Sequence, residues 1–151
     1  MYSVRLINNL IDISIHSFVA IVFSALIYFK SGNLSYVFIF LSGSILIDLD
    51  HLVDHFLYFK KKFNLKDFFS SASLASGKVY VFLHAWELNI IIFVFGLILS
   101  SKELLFLAAG LTAHLVVDCV YNKKFLAYFL FYRIIKKFNA KIFHPELDLP
   151  V

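Results

Sequence analysis

A chain of 151 residues is long enough for one compact domain. With 61% apolar residues, nineteen Phe, eight Tyr and a mean hydropathy of +0.84, it carries more apolar surface than a water-soluble fold of this size can bury. The single cysteine, Cys119, excludes an internal disulfide, and the net charge of +4 comes from basic loops rather than a nucleic-acid-binding patch.

Four apolar stretches follow in chain order, at about 15–29, 35–59, 79–99 and 103–121. Each approaches the ~20 residues that a helix needs to cross a hydrocarbon core. The first does not read as a signal peptide, because Asp12 accompanies Arg5 ahead of it and no small-residue cleavage site follows "IYFKSGN". "KSGNLS" and "SSKE" read as short turns, and residues 60–78 as a basic loop. In the basic tail, 122–151, the stretch "NKKFLAYFLFYRIIKKF" is apolar only in its middle, too short for a span, and reads as an interfacial helix. The expected fold is therefore all-α: a single transmembrane domain over 1–151, a four-helix bundle with an additional C-terminal interfacial helix.

Lys and Arg orient that bundle. In a four-span topology, twelve of the fourteen fall on the side of the N-terminus, the 60–78 loop and the tail, and only Lys30 and Lys102 fall opposite. The positive-inside rule makes the richer side cytoplasmic, so the expected location is the inner membrane with both termini inside.

Apart from Glu103 at the far end of the fourth stretch, the His and acidic residues inside the spans are His16, Asp48, Asp50, His51, Asp54, His55, His84, Glu87, His114 and Asp118. They fall early, late, early and late on antiparallel helices, which brings all of them towards the cytoplasmic face. Counted from the far ends, His16, Asp48, His84 and His114 lie roughly 16–23 Å deep, in one layer. His84 and Glu87 are three apart and His114 and Asp118 four apart, so each pair shares a helix face. On the second span, Asp48, Asp50, His51, Asp54 and His55 together cover an arc of about 160° centred near His51, too wide for every member to face the bundle.

Ionisable groups in a membrane helix are costly and point to function. His with carboxylate and no cysteine is a ligand set for Zn²⁺, Mn²⁺ or Fe²⁺, and ten groups suffice for two or more divalent ions. Close-set ions suit phosphoester hydrolysis. Asp48, Asp54 and Glu87 are the carboxylates considered for a catalytic general base, with His55 and Asn122 as supporting groups. Lys60, Lys61, Lys123 and Lys124 would draw an anionic substrate towards the metals. His144, in "FHPELDLPV", reads as solvated. A divalent-metal or proton transporter would use the same cluster, but residues 20–29, 35–45, 91–99 and 104–112 hold no charged group to continue a path. A third reading is a structural or regulatory membrane protein whose ions hold four helices together.

His near the start of the first span, "IDLDH", a His on the third span and "HLVVD" together resemble the membrane-bound metal-dependent hydrolase family of bacteria and archaea, over residues 16 to 118. That family is considered distantly similar to zinc-dependent phospholipase C and single-strand nucleases. The resemblance implies an all-helical, multi-zinc phosphoesterase whose leading ligands are His16, Asp50, His84, Glu87, His114 and Asp118, with Asp48 and His51 next. The expected partners are the lipid bilayer and a phospholipid or other phosphoester substrate, and no nucleic acid. Two departures from the family pattern are "FLHAWELN" in place of an H-R-G-x-T-H-S stretch, and "CVYNKKFLAYF" after the final Asp.

Overall fold

The computed structural model describes residues 2–60, 63–69, 72–143 and 145. Lys61, Lys62 and His144 lie outside them. The described residues are helical, with no strand and one isolated bridge between Lys78 and Asn139.

Helix α1 runs over Tyr2–Ser31 and stops where Gly32 takes a left-handed φ of +63°. Asn33 then caps α2, Leu34–Ile45, its side chain accepting from the Ser35 N–H. The second span is not one α-helix. At "LIDLD" it tightens into a 3-10 turn, Leu46–Asp50, before α3, His51–Phe59, resumes. A short α4, Leu65–Phe69, and a 3-10 turn, Ala72–Ser76, occupy the basic loop.

The third span differs most from expectation. Helix α5 covers only Trp86–Ile98, and residues 79–85 are irregular, so His84 precedes the helix and does not share a helical face with Glu87. Ser101 caps α6, Lys102–Asn122, accepting from the Leu104 N–H. The expected C-terminal helix is also broken. A 3-10 turn at Phe125–Tyr128 leads into a six-residue α7, Leu130–Ile135, followed by a last turn at Ala140–Ile142. Segments Leu10–Ser31, Leu34–Phe59 and Lys102–Asn122 are long and apolar enough to cross a membrane, while α5 is shorter.

Helices α2 and α6 make the closest crossing in the bundle. A Cβ added to Gly43 would meet the Leu107 carbonyl oxygen at 2.5 Å, and one added to Gly110 would overlap the Phe40 carbonyl. Only glycine lets two backbones approach this far, as expected for packing by close contact rather than by water exclusion. One turn beyond this crossing, Ile47, Leu111, Leu115 and Tyr128 form a buried cluster under the polar layer. A second cluster of Leu74, Val79, Val81 and Ala140 ties the 72–81 segment to the C-terminal turn.

Candidate metal centre

Five of the residues singled out from sequence converge. His16 comes from α1, Asp48 from the 3-10 turn, His84 from the irregular segment, and His114 and Asp118 from one face of α6. His114 Nε2 lies 3.5 Å from Asp48 Oδ1 and 3.4 Å from Asp118 Oδ2. His84 Nε2 is 3.4 Å from the same Asp48 oxygen and 4.0 Å from Asp118 Oδ2. His16 Nε2 faces the other oxygen of Asp118, at 3.2 Å.

These separations fit a metal better than hydrogen bonding. Donor atoms around a tetrahedral zinc at ~2.0–2.1 Å stand roughly 3.3–3.4 Å apart, close to most of the distances above. Among the described residues, His16 Nε2, His114 Nε2 and Asp118 Oδ2 are buried yet make no hydrogen bond. Buried polar atoms are almost always paired, so orphans this close together call for a partner such as a cation. Two sets have donor atoms within 4.8 Å of one another: His16, His114 and Asp118, and Asp48, His84 and His114.

Hydrogen bonds set how the rings are presented. His114 Nδ1 lies 2.8 Å from the Ser44 carbonyl oxygen, which can only accept, so Nδ1 carries the proton and Nε2 is left as the lone-pair donor. Asp50, also buried, accepts from the Leu83 N–H and lies 3.5 Å from His84 Nδ1. It stands behind the ring without a hydrogen bond to it, and is absent from both sets of clustered donors. Asp48 is the member open to the outside, with 40% of its side chain exposed, and the exposed His51 stands beside it with its ring 5.0 Å from that of His84. The centre therefore has one open side.

Other residues singled out from sequence lie elsewhere. Both oxygens of Asp54 accept from the Tyr80 N–H, at 3.0 and 3.2 Å, pinning the irregular segment. Glu87 accepts from the N–H groups of Leu130 and Phe131 at 2.9 and 3.1 Å, which caps α7. His55 is buried among the rings of Phe56, Phe59, Phe63 and Phe68. Asn122 donates to the Tyr128 hydroxyl at 2.7 Å, and burial pushes that hydroxyl well above its ordinary pKa, so it stays protonated. Lys60 is exposed at the left-handed end of α3, and Lys61 lies outside the described residues. Lys123 and Lys124 line an open cavity of about 580 Å³ together with Lys136 and Lys141.

Three contributors escape the sequence pattern. Asp12 sits one turn before His16, its Oδ1 3.6 Å from His16 Nε2, with the same four-residue spacing as His114 and Asp118. The Ser44 backbone carbonyl leaves no trace in composition. Arg133, fully buried, donates through Nη1 to the Tyr80 and Val81 carbonyls and through Nη2 to the His84 carbonyl at 2.9 Å. Burial lowers its pKa while Asp50, Glu87 and Asp54 raise it, and a guanidinium stays charged in either case. A lone Arg inside the apolar run "YFLFYRII" was the available signal. No family model, curated protein or solved structure matches the chain, so its function has to be read from these side chains.

Proposed function

We propose that the chain is a membrane-embedded, metal-dependent hydrolase that cleaves a phosphoester of a lipid or membrane-associated substrate at the cytoplasmic face. The observation that carries this reading is a buried set of unpaired His and Asp donor atoms beside the partly exposed Asp48. Asp48, His84, His114 and Asp118 would hold a divalent ion, and the absence of sulfur from the set suits Zn²⁺, Mn²⁺ or Fe²⁺. When bound, such an ion polarises a phosphoryl oxygen and acidifies water.

The chain's own groups do the rest. The Ser44 carbonyl keeps the His114 imidazole turned towards the centre, and Asp50 places a negative charge behind that of His84. His51, exposed at the open side, is placed to exchange a proton with solvent, a role that Asp54 and Glu87 are too occupied with backbone N–H groups to take. The lysines around the cavity at Lys123, Lys124, Lys136 and Lys141 favour an anionic headgroup. The resemblance of "IDLDH" and "HLVVD" to membrane-bound metal-dependent hydrolases supports the same reading, and the uncharged far halves of the spans argue against a transport path.

The test is turnover of phospholipids and simple phosphodiesters by the detergent-purified chain. Activity should be lost on chelation, return with Zn²⁺ or Mn²⁺, and fall at least about 100-fold in His114→Ala. Equal turnover by the two proteins, or no metal bound to the wild type, would sink the hydrolase reading.

A further inference from the structure

The open cavity at the end of α6 holds unbalanced charge. Lys123, Lys124, Lys136 and Lys141 line it with Tyr132 and Asn139, and among the described residues no acidic side chain does. The ion pairs among the described residues all involve histidine, so none of these lysines is neutralised by a carboxylate. Helix ends explain part of this, since Lys123 and Lys136 follow the C-termini of α6 and α7. They do not explain why Lys141, from a separate turn, lines the same space. Like charges gathered without a counter-ion repel one another, and a bound anion removes that cost. Phe125 and Leu126, also on the wall and each more than half exposed, add apolar surface that suits a lipid better than a free anion.

The wall of this cavity is also the brace of the metal centre. Tyr132 and Lys136 flank Arg133, which donates to the carbonyls of Tyr80, Val81 and His84. Asn139 pairs with Lys78 across the isolated bridge. The Val79 N–H donates to the Phe138 carbonyl, and the Ala140 N–H donates to that of Gly77, each at 2.9 Å. Residues 132–141 and 77–84 thus form one hydrogen-bonded unit that carries both the cavity lysines Lys136 and Lys141 and the ligand His84. Between those lysines, Lys137 and Phe138 take left-handed φ values of +53° and +56°. Non-glycine residues hold that conformation only where their surroundings impose it, and such strain collects at ligand clamps and switches. Resting on the metal-centre reading above, we propose that the cavity is a separate effector site for an anionic phospholipid, whose headgroup draws the lysines together and so fixes His84 for the metal. Lipid and metal then raise each other's affinity by the same factor, as coupled ligands must. Mere attraction of a substrate by these lysines requires no effect on the metal.

Calorimetric titration of the full chain with Mn²⁺, in an uncharged detergent, separates these possibilities. A non-cleavable phosphonate analogue of phosphatidylglycerol should tighten Mn²⁺ binding about 10-fold. The metal-free chain should bind the analogue saturably, one per chain and weaker by the same factor. Lys136→Gln combined with Lys141→Gln should bind Mn²⁺ as the wild type does without the analogue, and show no tightening with it. Equal tightening in both proteins would mean only that charged micelles concentrate cations, and overturns the effector site. Absence of saturable binding to the metal-free wild type overturns it too, because the analogue would then be a ligand of the metal. That arm keeps the test decisive if the double variant fails to fold. An equal effect of dissolved glycerol phosphate overturns the lipid as the ligand. No Mn²⁺ binding under any of these conditions overturns the metal centre itself.

Discussion

His16, His114 and Asp118 reach the centre from regular α-helices, whereas Asp48 and His84 reach it from a 3-10 turn and an irregular segment. The first group needs little external support. Four-residue spacing puts His114 and Asp118 on one face, and the Gly43–Gly110 crossing brings the Ser44 carbonyl to His114. The second group is held by other parts of the chain. Val81, a β-branched residue, sits at a φ of +31°, a conformation that costs on the order of 1–3 kcal/mol and persists only where its surroundings impose it. Arg133, Asp54 and Asp50 impose it by taking up the polar backbone groups of residues 80–84. A ligand on a helix inherits its position from the fold, while one on a loop requires a brace.

Breaking the brace should have the largest effect. Arg133→Met keeps the apolar bulk but strands three carbonyls, each costing about 1–3 kcal/mol when buried and unpaired. Calorimetric metal titration should show at least a 10-fold loss of affinity, matching the effect of Asp48→Ala, with the α1–α2–α6 packing retained by circular dichroism. A smaller change is expected from the helical side. Gly110→Ala forces α2 and α6 apart at Phe40, destabilising the bundle by about 1–3 kcal/mol and loosening the Ser44–His114 bond. Thermal unfolding in detergent measures the first effect, and a reduced metal affinity reports the second. The smallest effect falls to Glu87→Gln, which keeps one acceptor for the α7 N–H groups but loses the charge, at about 1 kcal/mol. Unchanged metal stoichiometry there would confirm that Glu87 braces and does not ligate, and loss of an ion would reverse that assignment.

The helical half was legible in the sequence because apolar length, the Asn33 and Ser101 caps and four-residue spacing are local signals. His84, too, was found by its place in the chain, although the helix assumed around it was not. Residues 79–85 depart from helix for tertiary reasons: the carbonyls that a helix would pair internally go instead to Arg133, some fifty residues later. The same limit explains His55. A straight α-helical wheel turns 100° per residue and a 3-10 turn 120°, so five residues at Leu46–Asp50 rotate everything after them by roughly 100°. His51 accordingly moves to the open rim, and His55 turns away into the phenylalanines. Asp12 carried a readable spacing to His16, but it lies ahead of the apolar stretch that defined the first span.

Helix α1 has thirty residues, about 45 Å of rod, against a hydrocarbon slab of ~30 Å. Tilt alone does not reconcile the two, since it would have to exceed 45° where about 20° is usual. Its C-terminal end is tethered by the tight turn into α2, so the surplus belongs to the N-terminal end. Measured back from Lys30, His16 falls about 21 Å along the rod and Asp12 about 27 Å. His16 therefore lies roughly 9 Å inside the slab, while Asp12 sits close to where it gives way to headgroups and the local dielectric rises. A carboxylate can stay ionised there at modest cost, while a lipid phosphate reaches the same level without leaving its leaflet.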